Sequence, residues 1–180
     1  MTTWIALFRG INVGGKHTLP MKVLKALLEQ NGCVEVQTYI QSGNALFRSK
    51  LSDADRVAKR ISAAVSADHG FEPRVLALTF GELQKAAAGN PFPEAGDDPK
   101  SLHLFFLAER AKKPDLAGLE SLKANGEDFV LRGKVFYLYT PNGFGTSKLA
   151  GRAERLIGVP ATARNWRTVK TLLEMAEGYA

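Results

Sequence analysis

Twice along this chain the same order of elements can be read: strand, helix, strand, strand, helix, strand, and then a trailing helix. In the first half, Thr3 to Phe8 reads as a strand. Pro20 to Asn31 reads as a helix with Leu24, Leu27 and Leu28 on one face and Gly32 as its stop. Strands over Val34 to Ile40 and Ala45 to Arg48 flank the turn Gln41-Ser42-Gly43-Asn44. Ser52 opens a second helix with Asp55 in the capping-box position and Val57, Ile61, Ala64 and Val65 as its buried stripe. Arg74 to Leu78 is a fourth strand, and Thr79 caps a short helix with Glu82 at the box position.

The second half repeats this order. Leu102 to Leu107 is a strand, and Pro114 to Ala124 a helix with Leu116, Leu119 and Leu122 inward. Asp128 to Leu131 and Lys134 to Tyr139 flank the turn Arg132-Gly133. Lys148 to Ile157 is a helix, Ala161 to Ala163 a short strand, and Asn165 caps the last helix. Doubled in this way, strand–crossover–strand units predict an α+β fold: two ferredoxin-like βαββαβ units, an internal duplication, packed together. The halves are residues 1–88 and 102–180, joined by a linker rich in Gly, Pro and Asp over residues 89–101, with Phe92 buried to pin it. One mixed sheet that only looks repeated is the alternative. The expectation of packing comes from Trp4 to Phe8 and Leu102 to Leu107, which carry apolar residues on both faces where a half-wet sheet would alternate.

Composition sets the remaining bounds. At 180 residues and 45% hydrophobic content the chain can build one sizeable core or two small packed ones. A net charge of +6 and a pI of about 9.5 favour anionic partners. Cys33 is the single cysteine, which excludes an intrachain disulfide and a multi-cysteine zinc site. Neither a signal-peptide pattern nor an apolar run of the ~18 residues a membrane span needs is present, so a cytoplasmic location without membrane contact is expected. The sequence leaves the oligomeric state open.

Three loops carry candidate chemistry. Arg9-Gly10-Ile11-Asn12-Val13-Gly14-Gly15-Lys16-His17 leads from an apolar strand toward a proline-started helix. Its spacing nearly matches the Walker A loop, but His17 stands where the magnesium-binding Ser or Thr belongs, and Pro20 delays the helix by about four residues. A P-loop is therefore not expected. A looser anion site is, with Gly10, Gly14 and Gly15 turning amides into one concavity beside Arg9 and Lys16; a plain turning loop is the alternative. The second loop, Thr140 to Lys148, contains Asn142, Gly143, Gly145 and a helix cap at Thr146 or Ser147; Lys148 in the first turn opposes the helix dipole unless an anion sits there. The third, Arg164-Asn165-Trp166-Arg167, offers a planar guanidinium for phosphate, and Trp166 either stacks on a base or anchors the core. Ser42 and Asn44 add polar groups on a turn that a hairpin alone would explain. His69 and His103 lack spaced partners, so no metal site is expected.

The motifs ALFRGINVGGK, TYIQSGNALF, NPF, YTPNGFGTSKL and ARNW, in that order, resemble the bacterial family called domain of unknown function 1697 over nearly the whole chain. The resemblance implies an α+β fold of paired ferredoxin-like units and no established activity. Where the family often reads Gly-Gly-Lys-Asn this chain has His17, so a role resting on an amide there does not carry over.

Taken together, these features favour a small-ligand protein. A phosphorylated small molecule or nucleotide would be held by Arg9, Lys16, Lys148 and Arg164 with glycine-loop amides, and oriented by Asn12, Asn44 and Asn142. Catalysis, where present, would be electrostatic; catalytic residues and cofactor remain unassigned. The alternatives are an RNA- or DNA-binding module, for which Arg132 to Tyr139 faintly echoes an RNA-recognition strand with Lys134 in place of a stacking aromatic, and a non-catalytic interaction or sensing protein.

Overall fold

A computed structural model describes residues 1–179. The first repeat comprises β1 (Thr2–Arg9), α1 (Met21–Gln30), β2 (Val34–Tyr39), β3 (Asn44–Ser49), α2 (Ala54–His69) and β4 (Arg74–Thr79), followed by α3 (Phe80–Ala88). The second comprises β5 (Leu102–Leu107), α4 (Leu116–Ser121), β6 (Asp128–Arg132), β7 (Val135–Tyr139), α5 (Lys148–Ile157) and β8 (Ala161–Asn165), followed by α6 (Trp166–Glu177). Each repeat forms its own four-stranded antiparallel sheet, with orders β2-β3-β1-β4 and β6-β7-β5-β8. The same order appears in both, so the chain is α+β with two ferredoxin-type units rather than one mixed sheet. The compact units are Met1–Lys85 with the residues from Leu172 on, and Ala86–Thr171.

In the first unit β1 is the central strand, hydrogen-bonded to β3 and to β4. Trp4, Ala6 and Phe8 pack with Leu24, Leu27 and Leu28 of α1 and Val57, Ile61 and Val65 of α2. Ile5 and Leu7, on the opposite face, are fully buried as well. The helix cap falls one residue later than the Ser52 expected: Asp53 accepts from the Arg56 amide at 2.7 Å. A carboxylate at this end also answers the helix dipole, which a hydroxyl does not. The Thr79–Glu82 capping box forms, with the Glu82 carboxylate accepting from the Thr79 amide at 2.8 Å and Thr79 Oγ1 accepting from the Glu82 amide at 3.2 Å. Near the C-terminus Tyr179 is buried on the same unit. Its hydroxyl donates to the Glu35 carbonyl, and the Arg48 guanidinium lies over its ring and donates to its carbonyl. Glu35 sits at a bulge in β2 with φ of 54°, and Tyr179 covers that irregular edge.

In the second unit Phe105 and Leu107 of β5 pack with Phe136 and Leu138 of β7 and with Leu149, Ala153 and Ile157 of α5. The helix α4 is shorter than the expected Pro114 to Ala124. Asp115 caps it by accepting from the Gly118 amide at 2.8 Å, and Leu122 ends it. Leu116 then falls in the first turn and is half exposed, while Leu119 alone of the three leucines is fully buried. The β6–β7 turn is Gly133-Lys134, one residue later than expected, because Arg132 pairs with Val135. Phe92 is buried and stacks on Tyr139 with ring centroids 5.5 Å apart.

Gly43 is where the first unit tolerates no side chain. Its φ is 89°, its carbonyl accepts from the Phe8 amide at 2.9 Å, and a Cβ there would stand 2.7 Å from Phe8 Cβ. Gly43→Ala is expected to cost on the order of 2–4 kcal/mol in urea unfolding, from combined strain and overpacking. Gly151→Ala, on the exposed face of α5 with open space around it, should instead stabilise by about 0.4–1 kcal/mol.

Candidate functional site

Within each unit, polar motifs come together. In the first unit the chain leaves β1 at Arg9 and forms a small hairpin. The Lys16 amide donates to the Val13 carbonyl at 3.1 Å and the Asn12 amide to the His17 carbonyl at 3.0 Å. Gly14 and Gly15 make its two-residue turn with φ of 59° and 72°, the left-handed pair such a turn requires. His17 stacks on Phe71 at 4.7 Å. The Asn12 carboxamide accepts from the Leu19 amide at 2.6 Å and donates to the carbonyls of Leu19 and Gln41, each at 2.9 Å. It thus staples the hairpin base to the turn after β2. Asn44 is fully buried and donates to the Tyr39 carbonyl at 3.0 Å and toward Ser42 Oγ at 3.4 Å. The structure therefore brings the Arg9–His17 and Gln41–Asn44 motifs together. It leaves Arg9, Gly10, Gly14, Gly15 and Lys16 exposed. Arg9 lies directly opposite Arg74 across β1 and β4, a like-charge pairing at the end of the sheet. The helix α1 starts only at Met21 behind Pro20, so the glycines shape a hairpin rather than a P-loop cradle.

In the second unit a cleft of about 390 Å³ opens where β5 begins and β7 and β8 end. It is bordered by the loop residues Thr140 to Phe144, by Asn165, and by Asp98, Lys100, Ser101 and His103. Hydrogen bonds to backbone carbonyls hold parts of this border. The Thr140 amide donates to the Ser101 carbonyl at 2.7 Å, the Gly143 amide to the Thr140 carbonyl at 3.1 Å, and the Ser101 hydroxyl to the Asp98 carbonyl at 2.6 Å. Asn142 Nδ2 donates to the Asn125 carbonyl at 3.0 Å. Ser147 caps α5, its Oγ accepting from the Ala150 amide at 3.0 Å, and Asn165 caps α6, its Oδ1 accepting from the Thr168 amide at 2.9 Å. Two of the sequence motifs, the one after β7 and the one ending β8, therefore meet at one cleft.

Neither Gly145, Ser147 nor Lys148 borders that cleft, although all three belong to the segment that leads from it into α5. Arg164 is absent from the cleft wall as well. Strand alternation turns it to the opposite face from Asn165, where it is buried and its Nη1 donates to the Ala163 carbonyl at 2.9 Å. Burial lowers its pKa to about 10, so the guanidinium stays charged at neutral pH.

His103 is the residue that sequence reasoning passed over. Its ring stacks on Phe144 with centroids 3.7 Å apart, and its Nδ1 is sealed from solvent with no hydrogen-bond partner. Burial lowers its pKa to about 4, which makes the imidazole neutral at physiological pH. The internal repeat exposes what is unusual here. His103 pairs with Leu138 of β7 and with Asn165, the last residue of β8 and the cap of α6. Trp4 pairs with Phe47 of β3 and with Thr79, the last residue of β4 and the cap of α3. The two positions are equivalent. In the first unit Trp4 is buried and its Nε1 donates to the Leu51 carbonyl at 3.0 Å, closing the space beneath the short β3–α2 loop, residues 50–53. In the second unit a smaller imidazole stands there, under a β7–α5 loop twice as long, residues 140–147. Aligning the two halves residue by residue was the signal that could have singled out His103.

The chain belongs to the family described as "Protein of unknown function (DUF1697)", which matches residues 1–137. The match includes the first unit's motifs and His103, while the loop after Tyr139 and Asn165 lie beyond it. Among curated proteins none matches. The fold is similar to that in "The structure of conserved bacterial protein SP0830 from Streptococcus pneumoniae", with a TM-score of 0.70 and 23% identity over 97% of this chain and 98% of that one. At that identity the likeness speaks to fold alone. Among the described residues no helix is long and apolar enough to cross a membrane.

His103 also makes a pH prediction. Its folded pKa of about 4 lies below the ordinary 6.5, so the folded state binds fewer protons than the unfolded chain between those values. The associated stability is complete above pH 6.5 and is lost as pH falls toward 4. At 1.36 kcal/mol per pKa unit, the loss is about 3 kcal/mol at most. Urea unfolding at pH 7 and pH 4.5 should show a larger drop for the wild type than for His103→Phe. Parallel drops would refute the assignment.

Proposed function

We propose that this protein binds a phosphorylated small molecule of about nucleotide size, and that the cleft of the second unit is its principal site. The observation that carries this reading is the convergence of the Thr140–Phe144 loop, Asn165 and Lys100 on one concavity of about 390 Å³. That volume falls in the range of small-molecule sites. Lys100 is exposed at the rim and supplies a cation for a phosphate. The hydroxyl and amide groups around it supply orientation. Where binding leads to turnover, these groups can contribute electrostatic stabilisation of a developing anion.

The glycine hairpin of the first unit, with Arg9 and Lys16 exposed beside it, is the second candidate for the phosphate. A nucleic-acid reading has less support. Phe136 and Tyr137, on the strand that echoes an RNA-recognition motif, are 0% and 2% exposed and offer no open stacking platform.

A thermal-shift series tests the proposal, using inorganic phosphate, ribose 5-phosphate, adenosine 5′-monophosphate and a short single-stranded RNA at low and moderate salt. A ligand at ~100 times its dissociation constant stabilises by about 2.7 kcal/mol, which is a shift of several degrees for a protein this size. A small phosphate ester should give that shift in both salts, and Lys100→Glu should remove it with little effect on the unliganded melting temperature. Loss of the shift in Arg9→Ala/Lys16→Ala but not in Lys100→Glu would move the phosphate to the first unit's hairpin. A response to RNA alone, falling steeply with salt, would replace the small-molecule reading with nucleic-acid binding.

A further inference from the structure

We infer that Asp98 is the specificity-determining residue of the second unit's cleft: beside Lys100, which takes the phosphate, its carboxylate accepts from the vicinal hydroxyls of a sugar, so that the site selects sugar and nucleoside phosphates over phosphate alone. The inference rests on the binding reading above and names the ligand class of that same site.

Three observations support it. The first is the charge of the cleft. Of the residues that border it only Asp98 and Lys100 are charged, because His103 is neutral at physiological pH. The two charges cancel, so a bare phosphate dianion that meets Lys100 also meets a carboxylate. A ligand that brings hydrogen-bond donors to Asp98 together with an anion for Lys100 turns that repulsion into attraction. The second is what each group still has to offer. Both residues are exposed, and among the described residues neither enters an ion pair, with the other or elsewhere. An ionised carboxylate has about four lone-pair sites, and Asp98 commits one of them, accepting from the Lys100 amide at 3.2 Å. Other polar side chains on the border are already engaged. Asn142 Nδ2 donates to the Asn125 carbonyl, the Ser101 hydroxyl to the Asp98 carbonyl and the Thr140 hydroxyl to the Ser101 carbonyl, while Asn165 Oδ1 accepts from the Thr168 amide. The third is preorganisation. The turn over residues 98–101 is closed by the Lys100 amide on Asp98 Oδ1 and by the Ser101 amide and hydroxyl on the Asp98 carbonyl, at 2.9 and 2.6 Å. The carboxylate is thus tied to the backbone of the residue whose ammonium answers the phosphate, and less ordering is left for the ligand to impose.

A carboxylate suits a vicinal diol because its oxygens accept from neighbouring hydroxyls at once, the chemistry by which an acidic side chain reads ribose in dinucleotide-binding folds. The division of labour is then plain. Lys100 answers the phosphate, and Asp98 answers the sugar attached to it.

The test titrates wild type, Asp98→Asn and Lys100→Glu with inorganic phosphate, adenosine 5′-monophosphate and its 2′,3′-dideoxy analogue, which lacks the diol. Asn keeps an oxygen for the Lys100 amide and removes the charge. Wild type should bind the ribonucleotide about tenfold or more tighter than the dideoxy analogue. In Asp98→Asn that preference should shrink several-fold while inorganic phosphate binds more tightly than it does to wild type; a purely structural role would move both affinities the same way. Equal wild-type affinity for the two nucleotides, a comparison that needs no variant, overturns the inference and leaves the binding reading intact. So does an unchanged preference, or weaker phosphate binding, in Asp98→Asn. Nucleotide binding retained in Lys100→Glu puts the phosphate outside this cleft and overturns the inference. Absence of any binding to wild type overturns the binding reading, and this inference with it.

Discussion

Each unit is hung on a central strand whose backbone is bonded along both edges. β1 bonds to β3 on one edge and β4 on the other, and β5 to β7 and β8 in the same way. From Trp4 to Phe8 the side chains on both faces are buried. A strand in that state cannot shift register without moving apolar groups into water and breaking two ladders at once. The loops at its ends therefore depart from fixed points. The glycine hairpin leaves the end of β1, and the cleft forms around the beginning of β5. Rigid strands with variable loops are the usual arrangement for placing polar groups.

The duplication has been elaborated at opposite ends of the central strand in the two units. The first unit carries its long connection after β1, residues 10–20, and a four-residue turn at 40–43 beside it. Asn12 spends its whole carboxamide tying these two segments together, so its role is to hold the hairpin in place. The second unit makes its β6–β7 turn as short as two residues and lengthens the β7–α5 loop instead. Equivalent positions then diverge chemically. The closed, hydrogen-bonded indole of Trp4 has as its counterpart the imidazole of His103 with its unmet nitrogen. A repeat whose two copies differ at this position and in the loop above it offers its own control for what the scaffold alone requires.

Much of this was legible in the residues. Leu102 to Leu107 and Lys148 to Ile157 were readable to the residue, because an apolar run broken only by His103 and the Thr146-Ser147 cap pair before a helical stripe leave few alternatives. The boundaries that moved were those decided by a single hydrogen bond. Asp53 and Ser52 are both good caps, and only the approach of the Arg56 amide chooses between them. The extent of α4 followed from Asp115 reaching the Gly118 amide, which turned Leu116 outward. In the site, the residues that look like ligand groups in one dimension, such as Asn12 and Asn44, carry bonds to backbone carbonyls in three.

From the sequence alone came the duplicated βαββαβ order, the buried character of the central strands and the loops on which polar chemistry sits, since periodicity and turn residues act over a few neighbouring positions. Tertiary structure alone decided that the loop after Tyr139 meets Asn165 and Lys100 at one cleft, that Arg164 faces away from it, and that His103 lies at its border. These depend on which residues stand opposite across strands that are dozens of positions apart in the chain. Strand register is a property of the folded sheet and is not written in any local stretch of residues.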